Sequence, residues 1–429
     1  MMTRIFWLTV LLGLVQGVSG CGHQGAACYS DGDCHGTGTC QMGACVTVLD
    51  QTVPAGDSTG TPGCGQADCS AKPIALSIGD QNACALFGSG AVKCWGNNQS
   101  GQLGDGTETN RSRPVDVVGL AAGVKALSAG GAHTCALLNT GGLKCWGAND
   151  KGQLGDGTSD KRLTPVDVAR LGSGVKALSA GAAHTCALLA SGATNCWGSN
   201  SRGQLGNSTG LSSPNPAEVF VGRANVGLST GGDVSCVQDS KGVVSCWGSN
   251  QNELFGNATV ADRPSPAPVS GLDPGASSVQ VGTSHACALL ASGAVRCWGK
   301  NSSGELGDGS KFTSSQPVEV SMLLPGTKKL AVGGLHTCAL ASTGEIQCWG
   351  ARIPGVATSG SQSGNLIPIL VEALGASIID LGIIDLAAGK GSSCALLEEG
   401  EIRCWGTNES GQLGDGSLET RYPPATVRF

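Results

Sequence analysis

The tripeptide Cys-Trp-Gly begins at Cys94, Cys145, Cys196, Cys246, Cys297, Cys348 and Cys404, in steps of 51, 51, 50, 51, 51 and 56 residues. Ten residues before each stands a second cysteine: Cys84, Cys135, Cys186, Cys236, Cys287, Cys338 and Cys394. Seven copies of one unit therefore fill residues 72–429. Units that recur at a fixed period bury their apolar faces against one another, so the fold is a repeat array. Within a unit, "VKALSAG" leads to "AHTCALL", a Gly-containing turn, "GLKCWG", the polar loop "NDKGQLGDGT" and a last segment of the "PVDVV" type. Short apolar segments separated by turn residues read as strands. A Gly count of 70 with only 4% aromatics suits strands and tight turns and counts against long helices. Closed all-β repeats of this length are propellers with one sheet per blade. WD-type blades are usually shorter, and kelch blades need a Tyr each, whereas this chain has two Tyr in all.

The ten-residue spacing has a geometric meaning. In "CALFGSGAVKC", a three-residue turn at Gly88-Ser89-Gly90 sets Phe87 against Ala91, Leu86 against Val92 and Cys84 against Cys94. Directly opposed residues of an antiparallel pair lie about 4.5–5.5 Å apart at Cα, within reach of a disulfide. One bridge per blade is expected: Cys84–Cys94, Cys135–Cys145, Cys186–Cys196, Cys236–Cys246, Cys287–Cys297, Cys338–Cys348 and Cys394–Cys404. The same register sets Trp95, Trp146, Trp197, Trp247, Trp298, Trp349 and Trp405 against Ala83, Thr134, Thr185, Ser235, Ala286, Thr337 and Ser393. A large ring meets a small residue every time, which marks these indoles as core. His133, His184, His285 and His336 share one position, held elsewhere by Asn82, Val234 and Ser392. A disulfide consumes the thiol that a Cys–His dyad needs, so the His residues read as structural. No closely spaced Cys or His pairs of the zinc-site kind occur in the units, so no metal and no cofactor is expected. In "GQLGDGT" the Gly residues permit positive φ, the Leu plugs the core, and Asp and Thr satisfy turn amides.

The unit resembles the repeat of the regulator-of-chromosome-condensation family. "WGANDKGQLGDGT" and "SAGAAHTCALLASG" carry the resemblance, with near copies along the whole of residues 72–429. It implies a seven-bladed β-propeller, closed by pairing strands from the two chain ends in one blade, with "PIALSI" (73–78) and "PATVRF" (424–429) as the candidates. It also implies a capacity to bind proteins. The family's nuclear member catalyses guanine-nucleotide exchange on a small GTPase. An export signal, paired cysteines and the lack of a basic tail argue against that activity here.

The N-terminus supplies the compartment. "MMTRIFWLTVLLGLVQGVSGC" has Arg4, an apolar run from Ile5 to Val15 and then small residues. That run is too short to span a bilayer and reads as a secretory signal. Val18-Ser19-Gly20-Cys21 resembles a bacterial lipobox, which implies cleavage before Cys21 and lipidation of it. The chain has 21 cysteines, and removing Cys21 leaves an even number, as a disulfide framework requires. Residues 21–45 then hold the anchor and a small knot of Cys28, Cys34, Cys40 and Cys45, whose pairing could take any of three forms. Residues 46–72 form a linker with one close pair, Cys64–Cys69, and the propeller runs from 73 to 429. The expected site is an exported, membrane-anchored cell envelope, periplasmic or at the surface.

Net charge is −6 and no Lys/Arg block exists, so no nucleic-acid partner is expected. The expected function is a non-catalytic one, binding another protein through a loop face. The membrane is contacted through the lipid alone. Specificity is sought where units differ. Blade four has "NQNELFGNATVADRPSPAPV" (250–269), offering Asn252, Glu253 and Phe255. Blade six has "ARIPGVATSGSQSGNLIP" (351–368), offering Arg352 and Asn365. An enzyme with an axial site is a further alternative, and it would require converging acids, His or metal ligands from different blades.

Overall fold

The computed structural model describes residues 38–41, 44–47, 71–255, 261–272, 275–351, 364–371 and 382–429. The chain divides into two compact units, Met1–Thr52 and Val53–Phe429. In the first, β1 (Gly38–Gln41) pairs antiparallel with β2 (Ala44–Thr47), and Cys40 stands opposite Cys45. Cys21, Cys28, Cys34, Cys64 and Cys69 lie outside the described residues.

In the second unit, β3 (Pro73–Ile78), β4 (Asn82–Phe87), β5 (Val92–Gly96) and β6 (Arg111–Asp116) form an antiparallel sheet in that order. Six more sheets repeat it, the last made of Ile383–Ala388, Ser392–Leu397, Ile402–Gly406 and Arg421–Thr426. This is the expected all-β, seven-bladed propeller. The hairpin register is also as read: Cys84 opposes Cys94, Leu86 opposes Val92 and Trp95 opposes Ala83. Every inner strand carries a bulge near its start, as between Pro73 and Ala75, which adds to the local twist.

The closure differs from the expectation. Residues 73–78 pair with β4, and the last strand, Arg421–Thr426, pairs with Ile402–Gly406, so the two chain ends sit in different sheets. Every blade is continuous in sequence, and the ring closes side by side. Trp95 packs with Leu396, Ile402, Leu413 and Val427 of blade seven. Phe429 meets Phe87 and Trp95 edge-on, with ring centroids 5.4 and 6.5 Å apart.

The core lies between blades rather than within them. Cys84, Leu86 and Val92 of blade one pack on Ala136 and Trp146 of blade two. At the axis, at the end of the inner strand for Gly231 and one residue past it for the others, stand Gly79, Gly130, Gly181, Gly231, Gly282, Gly333 and Gly389. A Cβ at Gly79 would lie 2.2 Å from the Gly130 carbonyl oxygen, and one at Gly389 would lie 2.3 Å from that of Gly79. Around the ring, neighbouring backbones approach too closely for any side chain.

Candidate functional site

Each half-cystine pair occupies a narrow, non-hydrogen-bonded site of its hairpin. The neighbouring pair Phe87 and Ala91 is hydrogen-bonded, and alternation then places Cys84 and Cys94 in the close pair. All seven blade disulfides are present, with Cα atoms 4.0–4.1 Å apart, closer than the register alone suggested. The seven Trp side chains are fully buried.

The His residues belong to a lock between blades. His133 Nε2 lies 2.8 Å from Thr185 Oγ1 of the next blade. Thr185 donates its hydroxyl hydrogen to the Gln153 carbonyl (2.9 Å), which also accepts from Trp197 Nε1 (3.0 Å). Because the hydroxyl hydrogen is already committed, His133 Nε2 carries the ring proton and donates. His184 reaches Ser235 and then the Gln204 carbonyl in the same way, and Asn82 reaches Thr134 and then Gln102. His285 meets Thr337 at 2.7 Å, and His336 meets Ser393 at 2.7 Å. Val234 is followed by Ala286 in the next blade, and Ser392 by Ala83, so the hydroxyl partner is missing where neither His nor Asn precedes it. Burial holds His133 and His336 down to about 4. His184 and His285 fall to about 3, through burial first and then the neighbouring buried His133 and His336, with Lys300 acting on His285 as well. These rings are neutral hydrogen-bonding posts.

The long loop before each outer strand is organised by one Asn. Asn98 Oδ1 accepts the Leu103 amide (2.9 Å), and its Nδ2 donates to Asp105 Oδ1 and the Thr107 carbonyl, both at 3.0 Å. Asp105 accepts from the Thr107 amide and hydroxyl and from Arg111 Nε. Burial pushes the Asp105 carboxyl up, but the Thr107, Arg111 and Asn98 bonds outweigh it and hold the group below the usual range. Asn149, Asn200, Asn301 and Asn408 repeat the device. In this loop the Asn, Asp, Thr and Arg groups are engaged with one another, and the device serves the fold.

Blade four uses the same frame with altered residues. Asn250 accepts the amide of Phe255, so Phe255 takes the place of Leu103, and Leu254 that of Gln102. Phe255 is buried in the core beneath the Arg263 guanidinium. It is a core plug rather than the surface contact expected from the sequence. Glu253 stands where other blades have Gly101 or Gly152, at φ 58°, a left-handed conformation unfavourable for a side chain. Asn252 is half-buried. In blade six, Asn365 is buried opposite Gly350, which removes it as an open contact, and Arg352 lies outside the described residues.

Among the described residues nine large apolar side chains are exposed, and two of them share one repeat position that the sequence reading missed. Leu211 and Phe312 each lie eleven residues after the organising Asn, on blades three and five, and are 72% and 82% exposed. Thr109, Asp160 and Glu419 hold that position on blades one, two and seven. An apolar residue at a position polar in its sister units was the available signal. Beside them, on the same loop face, Arg202 pairs with Asp262 at 3.2 Å. Burial pushes Asp233 up, eased by a Gln204 hydrogen bond and Arg202 and augmented by Asp262.

The axial channel, of about 600 Å³, is lined by the inner strands. One acid there has a displaced proton affinity: burial raises Asp80, partly offset by Lys390. Among the described residues no cluster of three or more His, Cys, Asp or Glu has the makings of a metal site.

A family model described as an RCC1-like domain matches residues 33–382, and the regulator of chromosome condensation (RCC1) repeat matches 383–412. The chain is 27% identical over 364 residues to the ultraviolet-B receptor UVR8 of Arabidopsis thaliana, covering 83% of this chain and 70% of that one. It is 28% identical over 380 residues to the mitochondrial RCC1 domain-containing protein RUG3 of the same plant, covering 86% and 73%. Yeast RCC1 (Prp20), solved bound to Kap60, superposes with a TM-score of 0.68 at 21% identity, over 84% of this chain and 85% of that one. Human WBSCR16 superposes at 0.66 with 20% identity, over 76% and 87%. These two structures establish the fold. The matched residues, from 33 to 412, place this chain in the regulator-of-chromosome-condensation (RCC1) repeat family.

Proposed function

We propose that this chain is an exported, lipid-anchored propeller that binds another protein in the bacterial cell envelope. The observation that carries the binding is the pair Leu211 and Phe312. Both are large, apolar and open to solvent, and both occupy one position of a rigid frame on either side of the variant blade four. Exposed aromatic and aliphatic side chains on a stiff scaffold are what protein interfaces use as anchors. Export is supported by the seven buried disulfides, which suit an oxidising compartment. Cys21 is the anchor in this reading. The site needs no catalytic group, and the protein acts as a binder.

The test is a photo-crosslinking residue at position 312 in the full chain, in its native membranes, with a second at 418 as a distant control on blade seven. One protein captured from 312, and lost on Leu211→Asp, supports the reading. Capture equal from both positions, or none, removes it. Intact mass of the purified chain decides the anchor: a lipid-sized gain on a chain that starts at Cys21 is expected.

Family membership favours a second reading, nucleotide exchange on a small GTPase. The mouse X-linked retinitis pigmentosa GTPase regulator is 36% identical over 160 residues, 35% of this chain and 15% of that one. Accelerated nucleotide release from a GTPase of the same cell would establish it. The Arg/Lys-poor chain and its disulfides weigh against it.

A further inference from the structure

The wall of the axial channel is not uniform. On blades one to four the residue facing the second strand's half-cystine is Ser77, Ser128, Ser179 or Ser229. Each hydroxyl oxygen accepts a backbone amide of the next blade, at 2.8–3.0 Å. An accepted amide occupies one lone pair and leaves the O–H as a donor. Blades five to seven have Gln280, Ala331 and Ala387 at that height.

The charged lining gathers on that other arc. Lys328 and Lys329 come from blade six, Asp385 and Lys390 from blade seven, and Asp80 from blade one at the closing seam. At the position of Lys329 and Asp385, blades one to three have Ala75, Ala126 and Ala177, so the fold does not need charge there. Asp385 is buried and already satisfied: it accepts the Leu76 amide at 2.7 Å and the Leu386 amide at 2.8 Å, and it pairs with Lys329 Nζ. Lys329 commits one of its three donors to that pair. Lys328 is exposed and has no ion partner among the described residues. The lining thus sets three lysines against two aspartates, in a chain of net charge −6. Low-dielectric walls concentrate the field of such a cleft.

We propose that the channel binds a small molecule carrying carboxylate or phosphate groups, its oxyanion held between the Lys328 and Lys329 ammonium groups and the serine hydroxyls. An oxyanion has only acceptors, and this lumen offers it charged donors on one side and neutral donors on the other. The volume is that of an ordinary small-ligand site. The site is independent of the protein-binding face and neither requires the other.

Calorimetric titration of the full chain with pyrophosphate and with citrate tests it, together with amine acylation of lysines read by mass spectrometry. Saturable binding of at least one probe at one site per chain is expected. Saturation with that probe protects Lys328 and Lys329 from acylation. Lys328→Gln, which leaves the Asp385 pair intact, weakens binding about tenfold, the usual loss for one charge-assisted bond. Lys311→Gln, on an outer loop, leaves it unchanged. No saturable binding of either probe overturns the proposal. So does equal weakening by both variants, or acylation of Lys328 that ignores the probe.

Discussion

At the scale of single residues, the histidines set the response to acid. An unfolded His has a pKa near 6.5, whereas the buried rings lie at about 3 to 4. The unfolded chain therefore takes up protons first, and stability contributed above pH 6.5 is lost as pH falls through 6.5 towards 4. A ring shifted to about 4, such as His133, loses on the order of 3 kcal/mol by pH 4. Denaturant midpoints across that window are expected to fall steeply, and His184→Asn, which copies Asn82, flattens the slope. Lowered carboxylates such as Asp105 act only below this window. Glu253 gives the opposite kind of prediction. Its left-handed φ has Gly in the sister blades, so Glu253→Gly is expected to stabilise the protein by about 1 kcal/mol in equilibrium unfolding. The His–hydroxyl coupling left a trace in the sequence, since His133, His184, His285 and His336 are each followed by Thr or Ser opposite the next Trp. It went unread because it joins residues in different units, and reading one unit against another shows positions rather than the contacts between them.

At the scale of the element, the long loop is the least obvious part of each unit. Its Leu, Gly and Asp residues were readable from turn chemistry, but the Asn that precedes them by several residues was not. Asn149 Oδ1 accepts the Leu154 amide at 3.0 Å, and its Nδ2 directs two hydrogens among Asp156 Oδ1, the Thr158 carbonyl and hydroxyl and the Asp160 carbonyl. Asn149→Ala leaves that buried amide unpaired and is expected to cost about 1–3 kcal/mol. Circular dichroism melts of the variant check it, and a neutral result would mean water replaces the side chain. The same frame explains Phe255. Counting from Asn250 places it on the Leu103 position, whereas its neighbours "NELFG" look unlike "GQLG" and suggested a surface loop. The central hairpin and its register were legible, because a fixed cysteine spacing and a short turn leave one pairing. The outer strands begin earlier than read, at Arg111 and Arg421, and the inner-strand bulges left no mark in the pattern.

For the molecule as a whole, closure is the decisive event. Trp95, in the first blade, donates to the Gln412 carbonyl of the last at 3.0 Å, and the Gly416 amide donates to the Ser112 carbonyl at 2.9 Å. Closure by a shared blade was the wrong expectation because nothing local distinguishes it from side-by-side contact. The decision rests on whether the last unit supplies its own four strands, and it does. The axial glycines set the ring's diameter. At Gly282, where φ is ordinary, a Cβ would lie 2.2 Å from the Gly333 carbonyl oxygen. Gly282→Ala is expected to cost more than about 3 kcal/mol by forcing blades five and six apart, seen as a lowered Tm and raised protease sensitivity.

The blade disulfides also bear on how such a chain is made. Each cysteine's correct partner is the next one along its own hairpin, ten residues away. Contact across so short a segment forms in roughly 10–100 ns, far ahead of any encounter between blades. Under the proposed export, a chain threaded through a membrane from its N-terminus would be oxidised in order of emergence, each bridge sealed before a competing thiol arrives. The repeat spacing is a proofreading device: it makes the nearest partner the right one seven times in succession.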